Sequence, residues 1–399
     1  MHHQHEHLSL RLHRALHSSM GLFEWSVGLH TFARALISVF IPVLLLGIGY
    51  GIDQVLLFLL LLTVMDVPLN FFARWLVRKV GARLVIIAGS VAMVGYFLSL
   101  SALQPNDWVA LAFVSFFAAL YDALYWVSHL FFFMECSVHK ENISRDTSWL
   151  YIVQQLAEML APALGAVVLL IFPDDILMYI SVTVVLISII PLFKIKNAPD
   201  RPRVPQQPWT AYWGSWQNAR DYFRIALYGV HMSVEFIIYP LFLYFLIGNV
   251  ESVAAVAVIA ALAMMVFTFF TGRIKREHRQ QTIITGALIA AVFWLLRIFI
   301  VNYAFVYFSV FVVGLCAVMM SIPLASSLFE KGEKMDTLSA STWRNAASMG
   351  GQALLYGVLL LANNIFHISF IVVVGCLVAL LIISRLAVTI KVTQASQPL

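Results

Sequence analysis

The sequence predicts an all-α polytopic membrane protein, with twelve transmembrane helices in two pseudo-symmetric six-helix bundles. Three observations carry this. Hydrophobic residues make up 61% of the 399 and charged residues only 11%, whereas a soluble domain is about half apolar and about a quarter charged. Twelve apolar stretches each reach the roughly 20 residues that a spanning helix needs. Lysine and arginine collect in alternate connections, as they do in loops on one side of a membrane. Helices rather than barrel strands follow from the length of the stretches and the lack of two-residue alternation.

The first twenty residues, beginning "MHHQHEH", carry six His and two Arg and lack the apolar core of a cleavable signal. This predicts a tail over 1–20 and a first span that is retained. Clustered imidazoles suit a transition metal; a disordered tail or tag remnant is the plainer reading, and no metal site is expected. Spans follow near 21–48, 52–77, 84–103, 107–134, 147–171 and 175–193, which make an N-terminal bundle over 21–193. The segment 194–223 is the only long connection. Its "DRPRVPQQP" excludes helix, because proline removes donors and blocks the preceding turn. "WTAYWGSWQNARDYF" reads as an amphipathic helix at the membrane surface. Spans near 224–248, 252–271, 282–302, 304–328, 338–362 and 366–388 make a second bundle over 224–388, followed by a tail over 389–399.

The short connections "GYGID", "LQPND", "FPDD", "GNVES" and "ANNIFHIS" contain no Lys or Arg. The alternate ones, "RWLVRKVGAR", "HKENISR", "KIKNAPDRPR", "GRIKREHR" and "EKGEK", hold most of the 25. This places both termini in the cytoplasm and predicts a multi-pass protein of the cell (inner or plasma) membrane. It also explains the formal charge of +5 without nucleic acid. Arg34, Arg297 and Arg344 are the exceptions, lying within spans. Arg297 reads as a snorkelling anchor near the outer face, and Arg344 lies near enough to the cytoplasmic surface to snorkel. Cys136, Cys316 and Cys376 have no CxxC spacing, which argues against a disulfide framework or structural zinc.

The halves share a weak repeat at an offset of 201 residues: Gly28 with Gly229, His30 with His231, Arg34 with Glu235, and Gly47 with Gly248. Duplicated halves are a mark of transporters. Buried ionisable residues concentrate on the first, fourth and seventh spans, and such groups face a bundle interior or wet cavity because each costs a few kcal/mol in lipid. The tenth span completes that set with Ser321, Pro323, Ser326 and Ser327.

With twelve spans, a 6+6 division and a basic middle loop, the chain resembles a major facilitator superfamily transporter over nearly its whole length. "RWLVRKVGARLVI" resembles the family's motif A in Arg78, Lys79, Gly81 and Arg83, although the acidic residue is absent and Arg78 stands roughly in its place. "GRIKREHRQQ" keeps Gly272 and Arg273. "APALGA" resembles the antiporter motif C in Pro162 and Gly165, which leans toward export, while the Arg that many proton antiporters carry in the fourth span is absent. The resemblance implies that spans 1, 4, 7 and 10 line a central cavity, 2, 5, 8 and 11 gate it, and the rest support it, with the halves rocking about a midplane site.

Within that frame His30 and Arg34 share a helix face, as do His231 and Glu235, with Tyr239 one turn on. Arg34 and Glu235 then form an ion pair between the halves, serving as substrate site, gate or fixed neutralising pair. Asp66, ahead of Pro68 and Asn70, is the rival partner for Arg34. Asp122, Tyr125, Trp126 and His129 form a stripe suited to proton relay and to stacking on a substrate; simple packing is the alternative. Glu158, beside Gln154, is a further proton carrier or a contact between halves. Arg344, Asn345, Ser348, Gln352 and Tyr356 follow on the eleventh span.

No nucleotide loop, zincin helix or nucleophile elbow is present, so neither an enzyme nor an ATP-driven pump is expected. The expected function is secondary active transport of a small organic solute, coupled to protons, by a monomer in the lipid bilayer without cofactor. An uncoupled facilitator for an organic acid, sugar or metal ion is the first rival; a sensor or scaffold on the same fold is the second.

Overall fold

The computed structural model describes residues 19–137, 143–195, 201–202, 205–271, 276–334 and 336–395. The histidine cluster of the tail, Gly272 and Arg273 lie outside them. Among the described residues the architecture is wholly helical: α1 (Ser19–Ile48), α2 (Ile52–Val80), α3 (Ala82–Ser101), α4 (Trp108–Ser137), α5 (Ile143–Ile171), α6 (Asp174–Lys194), α7 (Trp216–Ile247), α8 (Val250–Thr271), α9 (Arg279–Phe299), α10 (Tyr303–Lys334), α11 (Thr337–Leu360) and α12 (Ile365–Ala395). Eleven are long and apolar enough to cross a membrane. The other, α11, has the length at 24 residues, but Ser339, Ser341, Thr342, Arg344 and Asn345 make its first half polar. Lipid offers the backbone no hydrogen bonds, so each crossing closes its own as a helix.

Helices α1–α6 pack as one bundle and α7–α12 as the other. The halves meet along α2 against α11 and along α5 against α8. The repeat exchanges these contacts, because α2 corresponds to α8 and α5 to α11. Gly28 and Gly229 explain part of the repeated sequence. A Cβ on Gly28 would lie 2.8 Å from the Val153 side chain of α5, and one on Gly229 would lie 2.6 Å from Ser348 of α11. Each glycine lets the first helix of its half close on the fifth.

Both first helices are irregular near their middle. In α1 a turn at Val39 and Phe40 precedes Pro42, which takes the first turn of the continuing helix where its missing N–H costs nothing. In α7 the segment Val234–Ile238 widens into a π-helix ahead of Pro240. The two ends differ in register. Gly49 terminates α1 with φ 111°, whereas in α7 that place falls to Gly248, φ 83°. Gly47, the sequence match of Gly248, stays inside α1.

At the end of the molecule that carries the basic loops, Gly81 alone joins α2 to α3 and adopts φ 97°, where a side chain is unfavourable. Arg83 then donates to the Ile195 carbonyl at 2.7 Å, tying α3 to the end of α6. The aromatic part of the middle segment differs from a free surface helix. Only Thr210–Trp213 is separately helical, and Ser215 caps α7 by accepting the Asn218 N–H at 3.3 Å. Tyr212 and Tyr222 bury against Ile225 and Leu328, with Trp213 and Trp343 packed around them. Burial pushes the Tyr212 hydroxyl up to about 12, so it stays neutral. Burying four aromatic rings stabilises more than laying them on a membrane surface.

Candidate functional site

The midpoint of α1 carries Arg34, and the midpoint of α5 carries Glu158. Arg34 Nη2 donates to Glu158 Oε1 at 2.6 Å, and the two side chains stay 29% and 27% exposed. Asp122 of α4 acts on Arg34 and Tyr228 of α7 lies within electrostatic reach of Glu158, so the pair faces the space between the halves. The Trp126 ring of α4 lies 5.7 Å from the Arg34 guanidinium. One turn earlier, His30 stacks on Tyr125 with ring centroids 3.7 Å apart and shares a 3.2 Å hydrogen bond with the Tyr121 hydroxyl. His129 continues the column against Phe23, Tyr125 and Trp126, and neither of its ring nitrogens has a partner. Tyr151 of α5, Tyr228 of α7 and Arg344 of α11 stand within electrostatic reach of one another toward the basic end.

The expected pair between Arg34 and Glu235 does not form, and Asp66 does not pair with Arg34. Each half neutralises its own charge instead. Glu235 of α7 accepts from Arg297 of α9 through both carboxylate oxygens, at 2.5 and 3.1 Å. Arg297 also donates to Ser309 at 2.9 Å and lies over Tyr239 and Trp294, 3.8 and 4.4 Å from the ring centroids. Trp294 in turn donates to His231 at 3.2 Å. This cluster is sealed, with the two side chains 1% and 0% exposed. Arg297 is therefore no snorkelling anchor. A bidentate partner and two aromatic faces hold it inside the bundle more cheaply than an extended route to the surface.

A second polar group crosses between the halves. Asp66 and Asn70 of α2, Asp122 of α4 and Asn345 of α11 form one network. Asn345 donates to Asn70 at 2.8 Å and to Asp122 at 3.1 Å. Asn70 donates to Asp66. Asp66 lies beside Asp122, and its Oδ2 has no hydrogen-bond partner among the described residues. Nearer the basic end, Arg78 of the motif A-like corner pairs with Asp336 at 2.7 Å, Arg74 reaches Ser339 at 3.5 Å, and Ser341 donates to the Val127 carbonyl at 3.0 Å. Lys79 lies over Trp75, 4.1 Å away. Among the described residues, these cross-half bonds run from mid-membrane to the basic end, so that end is latched.

In α5, a Cβ on Gly165 would meet the Leu36 carbonyl of α1 at 2.2 Å. The motif C-like residues Pro162 and Gly165 thus shape the α1–α5 contact that carries Arg34 and Glu158. Among the sequence candidates, Arg34, Trp126 and Glu158 come together at the open space. His30 and His129 lie buried behind it, Asp66 and Asp122 join the crossing network, and His231, Glu235 and Tyr239 are sealed elsewhere. Asp336 and Arg74 were not singled out. The signal for Asp336 was its place at the start of a span, in a loop on the same side as Arg78.

No curated protein matches the sequence. Among solved structures, the human organic anion transporter MFSD10 (TETRAN) shares this fold, with a TM-score of 0.69 at 12% identity over 92% of this chain and 98% of that one. The model of the Major Facilitator Superfamily matches residues 25–355. The chain belongs to that superfamily and is a multi-pass membrane transporter of a solute.

Proposed function

We propose that the protein is a proton-coupled secondary transporter of a small organic solute, working by alternating access as a monomer in a cell membrane, with its basic loops in the cytoplasm. One observation carries the reading: the Arg34–Glu158 pair lies near the middle of its helices and is more than a quarter exposed, unlike the sealed Glu235–Arg297 pair. Glu158 is the proton carrier. Ionised, it neutralises Arg34. Protonated, it releases the guanidinium to the solute. The groups facing it are Arg34 from α1, Tyr151 on α5 itself and Tyr228 from α7, with Arg344 of α11 beyond Tyr151. On α8, Glu251 lies at the far, non-basic end. Opening toward the basic loops requires the Arg78–Asp336 and Asn345 bonds to break, which is the rocking step.

Flux of a solute panel into proteoliposomes, with and without an imposed pH gradient, tests this. The expected result is gradient-driven accumulation that Glu158→Gln abolishes while downhill exchange remains. Flux indifferent to pH would make the protein a facilitator. No flux for any solute would favour a sensor or scaffold.

A further inference from the structure

We propose that Arg344 is the anion-binding group of the central site, and that the site takes an aromatic monocarboxylate. This rests on reading the space between the halves as the solute site. Among the described residues, Arg344 has no hydrogen bond and no ion pair, and its Nε is buried without a partner. Other arginines of the spans have partners: Arg34 has Glu158, Arg297 has Glu235, Arg78 has Asp336, Arg224 has Asp221 and Gln280, and Arg74 has Ser339. A guanidinium cannot shed its charge in a protein, and an uncompensated charge at this depth costs several kcal/mol. Such a group calls for a counterion that comes and goes.

Its surroundings place the head between the halves and not at the membrane surface. Arg344 acts electrostatically on Asp122 and His129 of α4, Tyr151 of α5 and Tyr228 of α7. Asp122 is an acid within its electrostatic reach, but the two form no ion pair, and Asp122 Oδ2 accepts from Asn345 instead. At the open site Arg34 and Glu158 satisfy each other, while the Arg344 donors stay uncommitted and can meet a monoanion. A planar guanidinium holds a carboxylate through two parallel hydrogen bonds, which a lysine cannot reproduce. Tyr151 and Tyr228 within its reach, and Trp126 beside Arg34, offer flat faces with polar edges suited to a planar aromatic body. Protonation of Glu158 raises the site's positive charge by one, so proton and anion bind cooperatively and move together. Flux then runs away from the acidic side, against the export lean of the motif C resemblance.

The experiment measures binding without a gradient. The thermal midpoint of the full-length protein in detergent is followed against benzoate, phenylacetate, salicylate and indole-3-acetate, each beside its neutral amide. At least one acid should bind roughly 10- to 100-fold more tightly than its amide, the range expected for a charge-assisted bond. Arg344→Gln should remove that preference by a similar factor, and Arg344→Lys by less. Acids no better than amides in the wild type would overturn the proposal, even if Arg344→Gln failed to fold. So would an Arg344→Gln protein that keeps the acid preference. Carboxylate binding with no proton-driven flux would leave the anion site standing and remove the coupling. Proton-driven flux of a neutral solute with no acid binding would do the reverse.

Discussion

Arg34 and Glu235 occupy matching places in the two halves and carry opposite charges, yet each is neutralised at home. The reason is what spacing can say. A four-residue interval fixes which residues share a helix face, but not which neighbour that face turns toward. The sequence therefore made His30 with Arg34, and His231 with Glu235, legible as faces, while their partners on α5 and α9 stayed hidden. Charge-swap variants separate the pairings. Arg34→Glu with Glu158→Arg should restore much of the thermal stability lost by either single change, and Arg34→Glu with Glu235→Arg should restore none. The two pairs should also differ in cost. Glu235→Gln leaves Arg297 buried without a counterion and should destabilise by about 3–5 kcal/mol. Glu158→Gln, at a partly exposed site, should lower stability far less while it removes the pH dependence of flux. Chemical denaturation of the purified variants measures the first difference.

Whole helices were more readable than their contacts. Eleven crossings follow from apolar length and the placing of Lys and Arg, and α11, polar in its first half, is set by its place among them. The bend in α1 at Phe40 and the π-turn of α7 were not foreseen, because Pro42 and Pro240 each sit one or two residues beyond the irregularity they accompany. The start of α7 at Trp216 was also hidden. Its first turns are aromatic and charged, and burial against Leu328 and Trp343 decides them, which is a matter of packing and not of propensity. Close approach is where an element is most vulnerable. Gly165→Ala drives a methyl into the Leu36 carbonyl and should cost about 1–3 kcal/mol, visible as a lower midpoint. Because α1 must shift, the same change should weaken solute binding at Arg34. Gly375→Ala, where nothing lies within 4 Å, should do neither.

At the scale of the molecule, the latch of Arg78, Asp336 and Asn345 fixes which end is shut. The motif A-like loop lacks its usual acid, and the structure supplies one from the other half, at the start of α11. That substitution was beyond sequence reasoning, since it joins residues 258 apart. Asp336→Asn should shift the population toward opening at the basic end. Spin labels on the basic ends of α3 and α10 should report longer distances, with the wild-type distance restored by solutes that favour the latched state.

The sealed pair in the second half has an electrical consequence. Glu235 and Arg297 stay bound to each other inside one rigid bundle, so tilting that bundle carries no net charge through the transmembrane voltage. Any transient current on a solid-supported membrane must then come from Arg34, Glu158, Arg344 and their cargo. One proton and one monoanion make a neutral cargo, so a complete cycle should carry no net charge, and the solute gradient reached at steady state should not depend on holding potential.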